Sequence, residues 1–203
     1  MKTVLMAVTL AATCFAAPSW ADTPFAGKTG ALKFVSTAAD SKVSFLSDAP
    51  MEKIKGRADG TAAGEVNVAD ATNLATASGR FSVPVAKIET GNGIRDKHLQ
   101  GPDWLNAGAN PNITFEFSKV EVGKVEGARA KGRAHGKFSV NGKTVDKEIA
   151  VDVAYAADKN MIKVTASFKV SLKDHEVKGS AGTVGSKVGA TIDVEVTVIC
   201  AAR

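Results

Sequence analysis

Strict alternation of apolar and polar residues constrains the fold of this chain more than any other feature. From Met161 to Leu172 every second side chain is apolar, with Ile162 and Phe168 on one face, and Thr191–Ile199 repeats the pattern. A period of two is that of a β-strand with one buried face. The sequence therefore predicts an all-β protein made of antiparallel strands.

Two short turns mark hairpins between these strands. Asn141-Gly142 separates two apolar runs, and both residues tolerate the positive φ of a type I′ turn. Asp158-Lys159-Asn160 predicts a second, slightly longer hairpin. Long strands with open edges invite aggregation, so they either stack as two sheets or close into a barrel.

Small residues occupy one face of the segment 128–136. That face holds Ala128, Ala130, Gly132, Ala134 and Gly136, and it alternates with charged or polar side chains. Because charge points outward, the small residues are expected to point inward. They either leave a cavity for a slender apolar ligand, or relieve crowding where the sheet bends sharply or where large neighbours such as Phe115 and Phe168 need room. Composition does not decide between the two.

The N-terminus has the pattern of a secretory signal peptide. Lys2 is followed by an apolar stretch over residues 4–17, and Ser19 and Ala21 supply small residues near the expected cleavage point. The stretch is shorter than the ~20 residues that span a bilayer. We expect residues 1–21 to be cleaved, residues 22–31 to be a linker and residues 32–203 to form one domain. The protein is then periplasmic or secreted.

The net charge of +5 is spread along the chain and forms no local patch. It suits either transient contact with an anionic membrane surface or the solvated outside of a β-protein. One Tyr and two Trp offer no basic-aromatic platform, so nucleic acid is excluded as a partner. Cys14 leaves with the signal peptide, and Cys200 then forms either a disulfide-linked homodimer or an inert, semi-buried thiol.

The histidines give no support for a metal or catalytic site. His98, His135 and His175 are far apart in sequence, and none has a second His or Cys at ligand spacing. Asp96 lies near His98, but no nucleophile motif accompanies them. We therefore expect no metal, no cofactor and no enzymatic activity. Arg95 and Asp96 either lock a helical turn against the mouth of a barrel or recognise a ligand head group.

The block from Ile88 to Val120 places this charged turn, a loop with Trp104 and an alternating strand in one run. Together with Gly136–Thr144, it resembles the YceI-like family. The resemblance implies an extended lipocalin-like antiparallel β-barrel of about eight strands, with a short helical turn near residues 94–100. It also implies a long apolar cavity for an isoprenoid lipid.

We therefore expect a periplasmic or secreted protein that sequesters or carries a polyprenyl lipid or an isoprenoid quinone. The alternative is a ligand-free structural or stress-related interaction protein of the cell envelope, its barrel filled by its own side chains. An enzyme acting on an envelope substrate is a weaker third hypothesis. The residues expected to line the cavity or its mouth are Phe45, Phe81, Val83, Arg95, Asp96, His98, Trp104, Ile113, Phe115, Phe117, Ala130, Ala134 and Phe168.

Overall fold

A computed structural model describes residues 23–180 and 187–203, so the predicted signal peptide lies outside the described residues. The elements are β1 (Leu32–Ser36), β2 (Lys42–Asp48), β3 (Lys53–Arg57), β4 (Ala63–Val68), β5 (Ala77–Pro84), α1 (Gly93–Gln100), β6 (Asn112–Glu126), β7 (Arg129–Val140), β8 (Lys143–Ala156), β9 (Met161–Ser171) and β10 (Thr191–Ala202). Short 3-10 turns lie at 38–40, 74–76, 85–87 and 178–180.

These strands form a closed, eight-stranded antiparallel barrel, as predicted. β1 and β2 are consecutive and pair with successive parts of β10, so together they act as one interrupted strand. β4 pairs with β1 and β3 pairs with β2, so β3 and β4 act as a second interrupted strand. Pairing of β1 with β10 closes the ring, which leaves no long free edge.

The predicted hairpins are present at both positions. Asn141 and Gly142 have φ of 49° and 72°, the positive values that a type I′ turn requires, and they join β7 to β8. Residues 157–160 join β8 to β9, with Asn160 at a φ of 51°. The two strands that each turn joins are antiparallel neighbours, and the apolar faces of both point toward the barrel axis.

One end of the barrel is tightly closed by aromatic rings. Phe25 stacks on Phe34 with 5.6 Å between ring centroids and meets Tyr155 edge-on at 5.2 Å. Phe25 is almost fully buried, so the segment that we expected to be a linker supplies a core residue. Cys200 is also fully buried near this end, in register with Ile162, which favours the inert thiol over the disulfide-linked dimer.

The opposite end carries the longest connections. The segments 49–52, 85–111, 141–142, 172–180 and 187–190 meet there, and the predicted helical turn is α1. Asn92 caps this helix, since its side-chain oxygen accepts hydrogen bonds from the backbone N–H groups of Ile94 and Arg95. Among residues 23–180 and 187–203, no helix has the length and apolar character needed to cross a bilayer.

The barrel wall between β8 and β9 is only partly hydrogen-bonded. Their ladder covers Val151–Ala156 of β8. The segment after β9 contacts the start of β8, where Lys143 Nζ lies 2.9 Å from Glu176 Oε2. Lys147 Nζ donates to the Lys169 carbonyl at 2.6 Å, and His175 packs against the start of β8. Side chains thus bridge the place where the strands separate.

Candidate functional site, an apolar cavity with one polar mouth

The barrel encloses a cavity of about 520 Å³. Its walls are made of the inward residues of the alternating strands, and they are almost entirely apolar. Members of this wall from the last three strands are Ile149, Val151, Val153, Ile162, Val164, Ala166, Phe168, Val170, Ile192, Val194, Val196 and Val198. Its volume lies within the ~300–1,000 Å³ of typical small-molecule sites.

The small residues of β7 have two different roles. Ala130 and Ala134 are buried and line the cavity. Gly136 instead allows close approach of β6, because a Cβ there would lie 2.1 Å from the Glu116 carbonyl oxygen. Gly132 does both, because it lines the cavity and a Cβ on it would lie 2.5 Å from the carbonyl oxygen of Glu121. Both glycines lie near register irregularities between β6 and β7, so each of the two sequence interpretations holds for part of the strand.

Phenylalanine rings give the cavity much of its apolar surface. Phe115 stacks on Phe117 at 6.0 Å, and Phe138 meets Phe168 edge-on at 5.6 Å. Phe45 and Phe81 also line the cavity, each opposite a glycine on the neighbouring strand. An aromatic ring lying over a cross-strand glycine fills space that a side chain would otherwise occupy.

The mouth is held by an ion pair between two connections, 49–52 and 85–111, and by hydrogen bonds within the second. Arg95 Nη1 lies 2.6 Å from Glu52 Oε1, and Arg95 Nε donates to Thr90 Oγ1 at 3.0 Å. The Thr90 hydroxyl and backbone N–H in turn donate to Asp96 Oδ1 at 2.5 and 2.8 Å. Glu52, Thr90 and Arg95 line the cavity, whereas Asp96 stands behind them and holds Thr90 in place.

Trp104 lies at the rim of this mouth. It is half-buried and lines the cavity, as does the exposed His98. The backbone N–H of Gly179 donates to the Asp103 carbonyl at 2.6 Å, which brings the segment after β9 against the indole.

The cavity brings together most of the predicted residues. Twelve of the thirteen line it, Asp96 being the exception, and the lining members are Phe45, Phe81, Val83, Arg95, His98, Trp104, Ile113, Phe115, Phe117, Ala130, Ala134 and Phe168. Sequence reasoning missed Glu52, Thr90 and Phe138. The alternation of β7 marks Phe138 as inward, but no local pattern marks Glu52, which meets Arg95 from 43 residues away.

The three histidines lie apart in the structure as well. His98 is at the mouth, His135 lies on the outer face between Glu121 and Glu148, and His175 is buried beside Phe138. Within the part of the chain that the structure describes, no three His, Cys, Asp or Glu side chains are placed to share a metal ion.

Two ionisable groups are held in apolar surroundings near the mouth. Burial lowers the pKa of His175, whose Nδ1 donates to the Lys143 carbonyl at 3.1 Å. Burial likewise lowers the pKa of Lys147, whose Nζ lies 5.8 and 5.7 Å from the ring centroids of Phe138 and Phe168. Neither side chain lines the cavity.

Comparison with known proteins places these features in a family. The model of the YceI-like domain matches residues 34–199. A UPF0312 protein of Pseudomonas paraeruginosa is 29% identical over 120 residues, which cover 57% of this chain and 60% of the relative; the chain thus matches about three fifths of that relative's length.

Two solved structures share the fold. BcnA of Burkholderia cenocepacia superposes with a TM-score of 0.68 at 20% identity, covering 81% of this chain and 98% of BcnA. A polyisoprenoid binding domain from Saccharophagus degradans, implicated in plant cell wall breakdown, superposes with a TM-score of 0.63 at 12% identity, covering 87% and 100%. With the family model matching nearly the whole barrel, the chain belongs to the YceI-like family.

Proposed function

We propose that the protein binds an isoprenoid lipid in the barrel and carries or sequesters it outside the cytoplasm. The observation that carries the proposal is the apolar cavity of about 520 Å³ with polar groups at one end. An apolar chain in this space leaves water, which contributes ~25 cal/mol per Å² buried before ordering costs. The polyisoprenoid binding named for the Saccharophagus degradans domain supports the same ligand class.

The mouth favours a ligand with an uncharged head group. The Arg95 guanidinium is already paired with Glu52 and bonded to Thr90, so it does not offer a free charge to a phosphate. The Trp104 and His98 rings beside it suit a flat polar ring. At the Arg95 side of the mouth, an isoprenoid quinone therefore fits better than a polyprenyl diphosphate.

The alternative of a ligand-free structural protein needs a barrel filled by its own side chains. The cavity argues against it, because a space lined by small and apolar residues leaves those residues without packing partners when empty. Export is supported by the signal-like residues 1–21, and contact with a membrane follows if the ligand is taken from one or delivered to one.

Native mass spectrometry with lipid extraction tests the proposal. The full sequence is expressed in a bacterial host, and the mass of the purified protein is measured before and after organic extraction. We expect a co-purifying isoprenoid and a chain that begins near Asp22. After delipidation, an isoprenoid quinone should bind better than a straight-chain alcohol of equal carbon number. A protein that purifies without lipid and binds neither compound would instead support the structural alternative.

A further inference from the structure

Two large apolar side chains are strongly exposed to solvent. Met51 is 69% exposed and Ile94 is 71% exposed, and they are the exposed large hydrophobic residues of the part that the structure describes. Met51 lies in the turn between β2 and β3, and Ile94 lies in the first turn of α1. A single exposed apolar residue is ordinary, but two at one place call for a partner.

An ion pair joins the chain neighbours of these two residues at the mouth of the cavity. Met51 directly precedes Glu52, Ile94 directly precedes Arg95, and the two charged side chains meet at 2.6 Å. Both charged residues also line the cavity. The apolar pair is therefore fixed at the opening through which a ligand enters.

Positive charge surrounds the pair. Lys53 and Lys55 follow Met51 along β3, and Lys97 lies three residues after Ile94, on the same side of α1. All three lysines are exposed. Lys53 is paired with Asp48 at 2.8 Å. The acidic residues near Ile94 are engaged as well, because Asp96 accepts from Thr90 and Glu52 is paired with Arg95.

We propose that Met51 and Ile94, together with Lys53, Lys55 and Lys97, form a docking edge for an anionic lipid bilayer. The inference rests on the proposed function. Two apolar side chains are too small an area for a stable protein interface, but they can enter the acyl boundary of a membrane while lysines contact its phosphates. Docking in this orientation points the cavity mouth at the bilayer, so an isoprenoid chain passes between them with little exposure to water.

Vesicle co-sedimentation tests the docking edge. The protein purified after expression of the full sequence is mixed with vesicles of phosphatidylglycerol or of phosphatidylcholine, neither containing isoprenoid. We expect binding to phosphatidylglycerol, weaker binding to phosphatidylcholine, and an apparent affinity reduced about tenfold in Met51→Ser/Ile94→Ser. Lys55→Gln/Lys97→Gln should show a similar loss, and the matched control Lys159→Gln/Lys163→Gln, near the opposite end, should bind like the wild type.

Thermal unfolding and isoprenoid quinone binding in vesicle-free solution are measured for each variant. If the apolar double variant unfolds early, Met51→Ser alone and the lysine variant provide the comparison. Wild-type binding to phosphatidylglycerol by both the apolar and the lysine variants would overturn the docking edge, as would equal binding to both lipids or none at all. Quinone binding in solution that persists in any of these cases leaves the proposed function standing, so the two failures are distinguishable.

Discussion

Gly179 leaves the space that the indole of Trp104 occupies. A Cβ at Gly179 would lie 2.2 Å from Trp104 Cε2, and the neighbouring backbone hydrogen bond to Asp103 is 2.6 Å long. A methyl group cannot fit without movement of the ring or of the strand connection. The segment after β9 and the Trp104 loop therefore form one unit at the rim of the cavity.

We expect Gly179→Ala to displace Trp104 and to lower the free energy of unfolding by ~1–3 kcal/mol, as overpacking does. Trp104 is the sole tryptophan of residues 23–203, so its emission spectrum reports the displacement in the processed protein. Gly108→Ala is the control, because a Cβ there meets nothing within 4 Å. An unchanged spectrum and stability in Gly179→Ala would show that the two segments do not pack in solution.

Enlarging a residue of the β7 wall should block the cavity. Ala134 is buried in the lining, and Ala134→Phe should abolish binding of an isoprenoid quinone at a stability cost of ~1–3 kcal/mol. Ala150→Phe is the matched control, because Ala150 lies on the next strand with its side chain exposed. Titration of delipidated protein by fluorescence measures both. Full affinity in a folded Ala134→Phe variant would place the ligand elsewhere.

Much of this site can be predicted from the sequence because strand alternation is a local property. The inward positions of β5, β6, β7 and β9 follow from period-two patterning alone, and they become lining residues once the barrel closes. The meeting of Glu52 with Arg95 and the burial of Phe25 depend on how distant connections meet at the barrel ends. Such contacts are set by the closure of the sheet, which no local spacing specifies.

Asp96 is expected to stabilise the mouth. Asp96→Ala removes the acceptor of two hydrogen bonds from Thr90 and should lower the free energy of unfolding by ~1–3 kcal/mol. Ligand affinity should fall only as far as Thr90 and Arg95 become mobile. Chemical denaturation compares Asp96→Ala with the control variant Asp103→Ala, because the side chain of Asp103 is exposed. A variant with wild-type stability and no quinone binding would assign Asp96 a direct role in head-group recognition.

His175 should make stability depend on pH. Its pKa in the folded protein is lowered by burial, so the unfolded chain takes up a proton first as the pH falls below about 6.5. The contribution of neutral His175 to the free energy of unfolding is therefore fully present above that pH. It is lost as the pH falls from there through the lower pKa of the folded protein. Thermal unfolding between pH 8 and pH 5 should show a smaller loss in His175→Asn than in the wild type. Equal losses would mean that the imidazole titrates normally.

Cys200 should be unreactive in the folded protein. The thiol is fully buried, and burial raises its pKa to about 12, so little thiolate forms at neutral pH. We expect a thiol reagent to label it only in denaturant and oxidation to give no covalent dimer. Ala157→Cys in a Cys200→Ser background is the control, because residue 157 lies in an exposed turn and should react at once. Rapid labelling of Cys200 under native conditions, or a disulfide-linked dimer on a non-reducing gel, would show that β10 opens at its end and would restore the homodimer hypothesis.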